Sequence, residues 1–153
     1  MAEQEHTNRS SQGEQTDEVM RSKMLHIMFT RVPFNTALNI TLEEAAPDGV
    51  TLRMPFSETV DNSGGTYHGG AVAALMDNAG AAAVWAGHDF SQGTRASTVS
   101  MAINYVGAGR TSDLIARARC VRRAKELNFT EIQIESDDGR PVASGVLVYR
   151  IAP

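Results

Sequence analysis

The stretch that decides the fold reads Asn62-Ser63-Gly64-Gly65-Thr66-Tyr67-His68-Gly69-Gly70-Ala71-Val72-Ala73-Ala74-Leu75-Met76-Asp77-Asn78-Ala79-Gly80-Ala81-Ala82-Ala83-Val84-Trp85-Ala86-Gly87. From Gly69 to about Gly87 it predicts one helix of small and apolar residues. Ala, Leu and Met favour that conformation, and Gly80 in its middle costs about 1 kcal/mol of propensity. Asp77 is the one formally charged residue in the whole stretch. A helix so poor in charge is buried on most sides, and Gly87 suits its C-cap. Before it, residues 57–67 read as a loop.

Residues 1–16 hold almost nothing to bury and are expected as a disordered tail, leaving 17–153 as a single domain. Thr16-Asp17-Glu18 suits a helix start. The spacing of Val19, Met20, Met24, Ile27 and Met28 predicts an amphipathic helix to about Thr30, stopped by Pro33. Two alternating runs, from Asn39 and from Gly49, flank the turn Ala46-Pro47-Asp48-Gly49 and predict a hairpin. Beyond Gly87, Val99, Met101, Ile103 and Tyr105 alternate with Ser100, Ala102 and Asn104. Runs 114–125, 129–135 and 142–151 follow, and the four strands are expected in meander order. The class is therefore α+β: about six antiparallel strands wrapped round one long helix, with an extra N-terminal helix. One sheet leaves a face of that helix uncovered, so a homodimer is expected.

The chain has 153 residues, 42% hydrophobic and 21% charged, with net charge -4. That balance is ordinary for a globular domain and gives no reason to expect nucleic acid or an anionic membrane as partner. The lone cysteine, Cys120, forms no intrachain disulfide. No Cys/His cluster has zinc spacing, so no metal is expected. The N-terminus has no apolar run of a signal or anchor, and the expected address is cytoplasmic.

Burying a carboxylate costs several kcal/mol unless partners satisfy it. Asp77 is thus either a structural hydrogen bonder, as Asn78 beside it is read, or a chemical group. A second feature favours chemistry. Thr66-Tyr67-His68-Gly69-Gly70 meets the helix N-terminus, where N–H groups lack internal partners. Glycines there let a substrate approach the backbone, and such donors suit a carbonyl oxygen that gains charge. Asp77 lies nine residues after His68, about 180° round the axis and about 13 Å along it. The two ends cannot meet on one small substrate within one chain. Two such helices about a two-fold axis would create two shared sites.

Residues 62–70, followed by Ala74-Leu75-Met76-Asp77, resemble the signature of hotdog-fold acyl-CoA thioesterases. The similar branch holds the phenylacetate-pathway (PaaI-like) enzymes and the mammalian thioesterase superfamily members, and the resemblance covers about residues 35–152. It implies hydrolysis of an acyl-CoA to free acid and CoA, with Asp77 as general base or nucleophile. It implies that the Gly69 N–H of the opposite subunit polarises the carbonyl, and that His68 and Asn62 orient substrate and leaving group. Thr98 falls where relatives place a Ser or Thr that positions water or carboxylate, with Ser97 and Ser100 close by. Gly70 and Tyr67 are expected at the substrate. No cofactor is implied beyond the CoA of the substrate, and relatives commonly pair dimers into tetramers.

CoA phosphates need cations. Residues 110–125 hold six of the fourteen basic residues. Strand alternation puts Arg117, Arg119, Arg123 and Lys125 on one face, which reads either as a solvated or ion-paired surface or as a phosphate site. The resemblance favours Arg123 and Lys125 for the latter. Two other functions fit less well. Hotdog hydratases and dehydratases carry a Phe-Pro-Gly type context after the loop His, absent here. Non-catalytic acyl-CoA sensors typically lose the acid, which is present here as Asp77.

Overall fold

The computed structural model describes the backbone of residues 2–153 and the side chains of residues 13–153. Helices α1 (Ala2–Thr30) and α2 (Pro33–Ala37) precede strands β1 (Thr41–Ala46) and β2 (Gly49–Met54); α3 (Gly69–Ala86) precedes β3 (Arg95–Tyr105), β4 (Leu114–Ala124), β5 (Leu127–Ser136) and β6 (Pro141–Ala152). The six strands form one antiparallel sheet in the order β1-β2-β4-β5-β6-β3. This is the expected hotdog arrangement. Among the described residues, no helix is long and apolar enough to cross a membrane.

Two expectations need correction. The last four strands are not a simple meander, because β3 pairs with β6 at the sheet edge and not with β4. Helix α3 lies across β2, β4, β5 and β6, so the strand that follows it enters beyond β6. The connection from β3 to β4 then crosses back. It is held by the Val106 and Gly107 N–H groups on the Val142 carbonyl, and by the Tyr67 N–H on the Gly109 carbonyl. The second difference is that α1 begins at Ala2 and not near Thr16. Once a helix is nucleated, each further residue adds a hydrogen bond, and Glu and Gln extend it at little cost. Side chains of residues 1–12, most of the stretch expected as a tail, lie outside the described residues.

The core lies between α3 and the sheet. Leu52, Met54, Leu75, Met76, Leu114 and Ile132 are fully buried there. Small residues let α3 approach closely. A Cβ on Gly80 would stand 2.9 Å from Thr130 Oγ1 and 3.2 Å from Leu147 Cβ. The lost helix propensity at Gly80 is therefore offset by close packing. Met76 and Trp85 belong to this core. On the N-terminal side, Leu25 and Phe29 of α1 are buried, and α1 packs on α3.

The far end of α3 is tied down by His88. Its ring is buried, stands edge-on to Trp85 and Phe90, and lies 2.8 Å from the Gly93 carbonyl through Nε2. Its own carbonyl accepts from Arg21 Nε of α1 at 2.8 Å. Burial holds the imidazole below the usual histidine range, an effect partly opposed by the Gly93 carbonyl. The unfolded chain therefore takes up this proton first as pH falls. Stability contributed by neutral His88 is full above about pH 6.5 and declines below it, down to the folded-state value. Urea unfolding midpoints of wild type should fall more between about pH 7.5 and about pH 5.5 than those of His88→Gln, whose side chain does not titrate. Equal slopes would show that His88 does not carry this dependence.

Candidate functional site

His68 is the N-cap of α3, with extended backbone at φ -62 and ψ 134. Its Nδ1 accepts the Gly70 N–H at 2.9 Å. Its carbonyl accepts the N–H groups of Ala71 at 2.9 Å and Val72 at 3.2 Å. The Val72 bond is the first of the helix proper, and the His68 N–H itself donates to the Val60 carbonyl at 2.7 Å. Three of the four N–H groups that a helix leaves without intrahelical partners, those of His68, Gly70 and Ala71, are thus satisfied. The Gly69 N–H has no hydrogen-bond partner among the described residues. With Nδ1 as acceptor, neutral His68 carries its proton on Nε2, on an exposed ring. Packing does not require glycine at 69. A Cβ there would meet only the Tyr105 ring, at an ordinary 3.6 Å, and φ is not left-handed. Gly70 is tighter, with the His68 ring 3.0 Å from its would-be Cβ.

The loop before the cap is built on Asp61. Its Oδ1 accepts the N–H groups of Gly64, Gly65 and Thr66 at 3.3, 2.9 and 3.2 Å. Ser63 and Gly65 adopt left-handed φ of 61° and 71°. This is the local turn chemistry of an Asp followed by Asn-Ser-Gly-Gly. The Asn62 N–H closes the loop on the Thr66 carbonyl at 2.8 Å, and the Asn62 side chain stays exposed. Tyr67, expected at the substrate, instead points into the core. Its hydroxyl donates to the Met54 carbonyl at 2.9 Å, and its ring stands edge-on to Phe56 at 5.2 Å. Burial, reinforced by the nearby Asp113 charge, pushes its phenol up.

Asp77 is half-buried on the open side of α3. Its Oδ1 accepts the Thr98 hydroxyl at 2.7 Å. Plain alternation along β3 would put Thr98 on the face opposite Met101. A bulge between Thr98 and Ser100 changes the parity. Thr98 pairs with Tyr149 and Met101 with Leu147, both on the α3 side, while Val99 is exposed. Of the three neighbouring hydroxyls, those of Ser97, Thr98 and Ser100, it is Thr98 that bonds Asp77. Tyr149 stands behind the pair and accepts the Trp85 Nε1–H at 3.3 Å. Its phenol is pushed up by burial, with the Asp77 charge adding to the effect. Asn78 donates to the Ala74 carbonyl at 2.9 Å, a structural bond as read.

The basic strand face is also re-sorted by a bulge, between Cys120 and Arg122 of β4. Arg117 and Arg119 remain outside and pair with Glu135 and Glu131. Arg123 turns to the α3 side, opposite buried Asn128. Its guanidinium is engaged by Asp48 and by Asn128 Oδ1 at 3.3 Å, and donates to the Val84 carbonyl at 2.9 Å near the negative end of α3. Arg123, expected at a CoA phosphate, thus has its guanidinium donors turned to Asp48, Asn128 and the Val84 carbonyl within the chain. Lys125, at the β4–β5 turn with φ 53°, is exposed and makes no ion pair among the described residues. Cys120 is buried, and burial pushes its thiol up, away from nucleophilic use.

Within one chain these parts form two clusters. His68, Gly69 and the Asn62 loop stand at the start of α3; Asp77 and Thr98 stand further along it. Two residues that sequence reasoning did not single out support the first cluster. Asp61 holds the loop, and Tyr105 donates its hydroxyl to the Gly69 carbonyl at 3.0 Å. The Asp-Asn-Ser-Gly-Gly run was a readable signal for Asp61; nothing local in the sequence pairs Tyr105 with Gly69.

The thioesterase superfamily model matches residues 64–143, which include both halves of the helix and Thr98. Human acyl-coenzyme A thioesterase 13 is 32% identical over 108 residues, covering 69% of this chain and 75% of that protein. Among solved structures, the Escherichia coli PaaI protein from the phenylacetic acid degradation operon superposes with a TM-score of 0.77 at 21% identity, over 89% of this chain and 96% of that one. A hypothetical thioesterase from Streptococcus pneumoniae, solved with coenzyme A, gives a TM-score of 0.71 at 20% identity, over 85% and 95%. The chain belongs to the thioesterase superfamily, and by that membership it is a thioester hydrolase.

Proposed function

We propose that the protein hydrolyses acyl-CoA to free acid and CoA at sites shared between two subunits. The observation that carries this reading is the unpartnered Gly69 N–H at an open helix terminus, where glycine meets no packing need. A thioester carbonyl oxygen seated there would accept that N–H, and the bond would strengthen as the oxygen gains charge. The acyl-CoA substrate follows from the likeness to acyl-coenzyme A thioesterase 13.

Asp77 acts as general base. Thr98 holds Oδ1, which leaves Oδ2 to take a proton from water while the hydroxide oxygen adds to the thioester carbon. The tetrahedral oxyanion rests on Gly69, the carbon–sulfur bond breaks, and the CoA thiolate leaves and takes up a proton. His68 Nε2–H and the Asn62 side chain lie at the exposed end to orient the carbonyl and sulfur. Gly70 adds close backbone approach. Lys125 is the remaining candidate cation for a CoA phosphate from the expected pair.

The shared site follows from distance. Eight residues separate Gly69 from Asp77, about 12 Å of helix rise. β3 offers the means of pairing: an 11-residue edge strand, exposed along most of its length, that carries Thr98. A long unpaired edge is a template for another strand. A two-fold pairing there would bring each Asp77 towards its partner's Gly69.

Three measurements test this reading. Release of free thiol from a panel of acyl-CoAs should be seen with wild type and fall by about a hundredfold or more in Asp77→Asn; full activity in the variant would remove Asp77 from the mechanism. Gly69→Pro deletes the N–H at a first helical position where proline is well accepted, after a residue already extended. It should fold normally and lose about a hundredfold or more in kcat. Mixing the two variants, with subunit exchange verified, should restore about a quarter of wild-type activity through one intact site per heterodimer. Absence of recovery despite verified exchange would overturn the shared site. Single turnover in isotopically labelled water, with label read in enzyme and product, separates a base from a nucleophile.

A further inference from the structure

Tyr105 closes β3 on the side facing α3, yet it is not a core residue: 54% of it is exposed. Its hydroxyl donates to the Gly69 carbonyl at 3.0 Å, and its ring lies over the face of Gly69, 3.6 Å from a would-be Cβ. That carbonyl belongs to the peptide whose N–H, on Gly70, donates to His68 Nδ1 at 2.9 Å. The Gly69–Gly70 peptide is therefore gripped at both ends, by a tyrosine from a strand and by the helix's own cap.

Such a grip has a physical purpose here. Glycine has the widest backbone freedom of any residue, and Gly69 has no side chain to lodge against a neighbour. An N–H that stabilises a developing charge must already point at it, because reorientation during the reaction costs part of the gain. We infer that Tyr105 is a positioning residue: it holds Gly69 from its carbonyl side, while the His68 carbonyl, in the same peptide as the Gly69 N–H, is held by Ala71 and Val72, so that together they keep this N–H in one direction. The inference rests on the reading of Gly69 as the polarising donor. Tyr105 itself touches neither the thioester carbon nor the attacking water in this role.

Tyr105→Phe keeps the exposed ring and removes the one hydroxyl. Thiol release from an acyl-CoA turned over by wild type should show kcat reduced about tenfold, with KM within about twofold. Amide hydrogen exchange at Gly69 and Gly70 should be faster than in wild type, with the thermal midpoint unchanged. A raised KM with unchanged kcat would make Tyr105 a substrate contact and overturn the inference, as would wild-type values of both constants. Should wild type release no thiol from any acyl-CoA, the functional reading itself fails. Amide exchange then decides the positioning role alone: faster exchange in the variant supports it, and identical exchange overturns it.

Discussion

A carboxylate on a straight helix cannot reach the N-terminus of that helix eight residues away. The rise is about 12 Å, and an aspartate has one of the shortest acidic side chains. In α3 this gap is made rigid by packing, since Leu75, Met76, Ala79, Ala82 and Ala83 are fully buried against the sheet. Bending the helix would break that contact. The donor at Gly69 and the acid at Asp77 are thus held apart by the element that carries both. The large open edge of the sheet answers the same constraint. That edge is the 11-residue strand β3, exposed along most of its length, and a long unpaired edge is a template for another strand.

The helix was legible because its signals agree. Small residues, absence of charge, a His cap and a terminal Gly all point to one buried helix, and its observed bounds match. The β1–β2 hairpin was legible through the ordinary turn chemistry of Ala46-Pro47-Asp48-Gly49. The position of β3 was not. Neighbouring strands in sequence usually pair, and only the path of α3 across the sheet sends β3 to the far edge. That information lies in three-dimensional packing and not in any local pattern.

Two bulges explain most of what alternation misread. At Val99 an extra residue keeps Thr98 on the same face as Met101, and so on Asp77. At Val121 another turns Arg123 from the outer face to the end of α3. Neither bulge has Gly or Pro to announce it, and a period-2 reading inverts after each. The first keeps Thr98 beside the acid; the second sets Arg123 against Asp48, Asn128 and the end of α3. The inward direction of Tyr67 was not legible for a different reason. It adjoins His68 in sequence, but its hydroxyl satisfies the Met54 carbonyl inside the core.

Gly80, Gly87 and Gly145 differ from Gly69 in a way that bears on function. A Cβ on Gly80 or Gly145 would strike Thr130 or the Ala102 carbonyl, at 2.9 and 2.4 Å. At Gly87, whose φ of -124 is not left-handed, a Cβ would displace the ends of the Asp48 and Arg123 side chains and so disturb their ion pair. Those residues are glycine because the fold leaves no space. Gly69 meets no such obstacle, and its backbone is one that any residue adopts. The N–H that goes unbonded belongs to the same residue. A site that lacks a side chain without steric need, beside a donor that lacks a partner without burial, is shaped for something outside the chain. On the proposed reading, Thr98 holds the acid Asp77, and His68 and Tyr105 hold the segment that carries the Gly69 donor, within each chain.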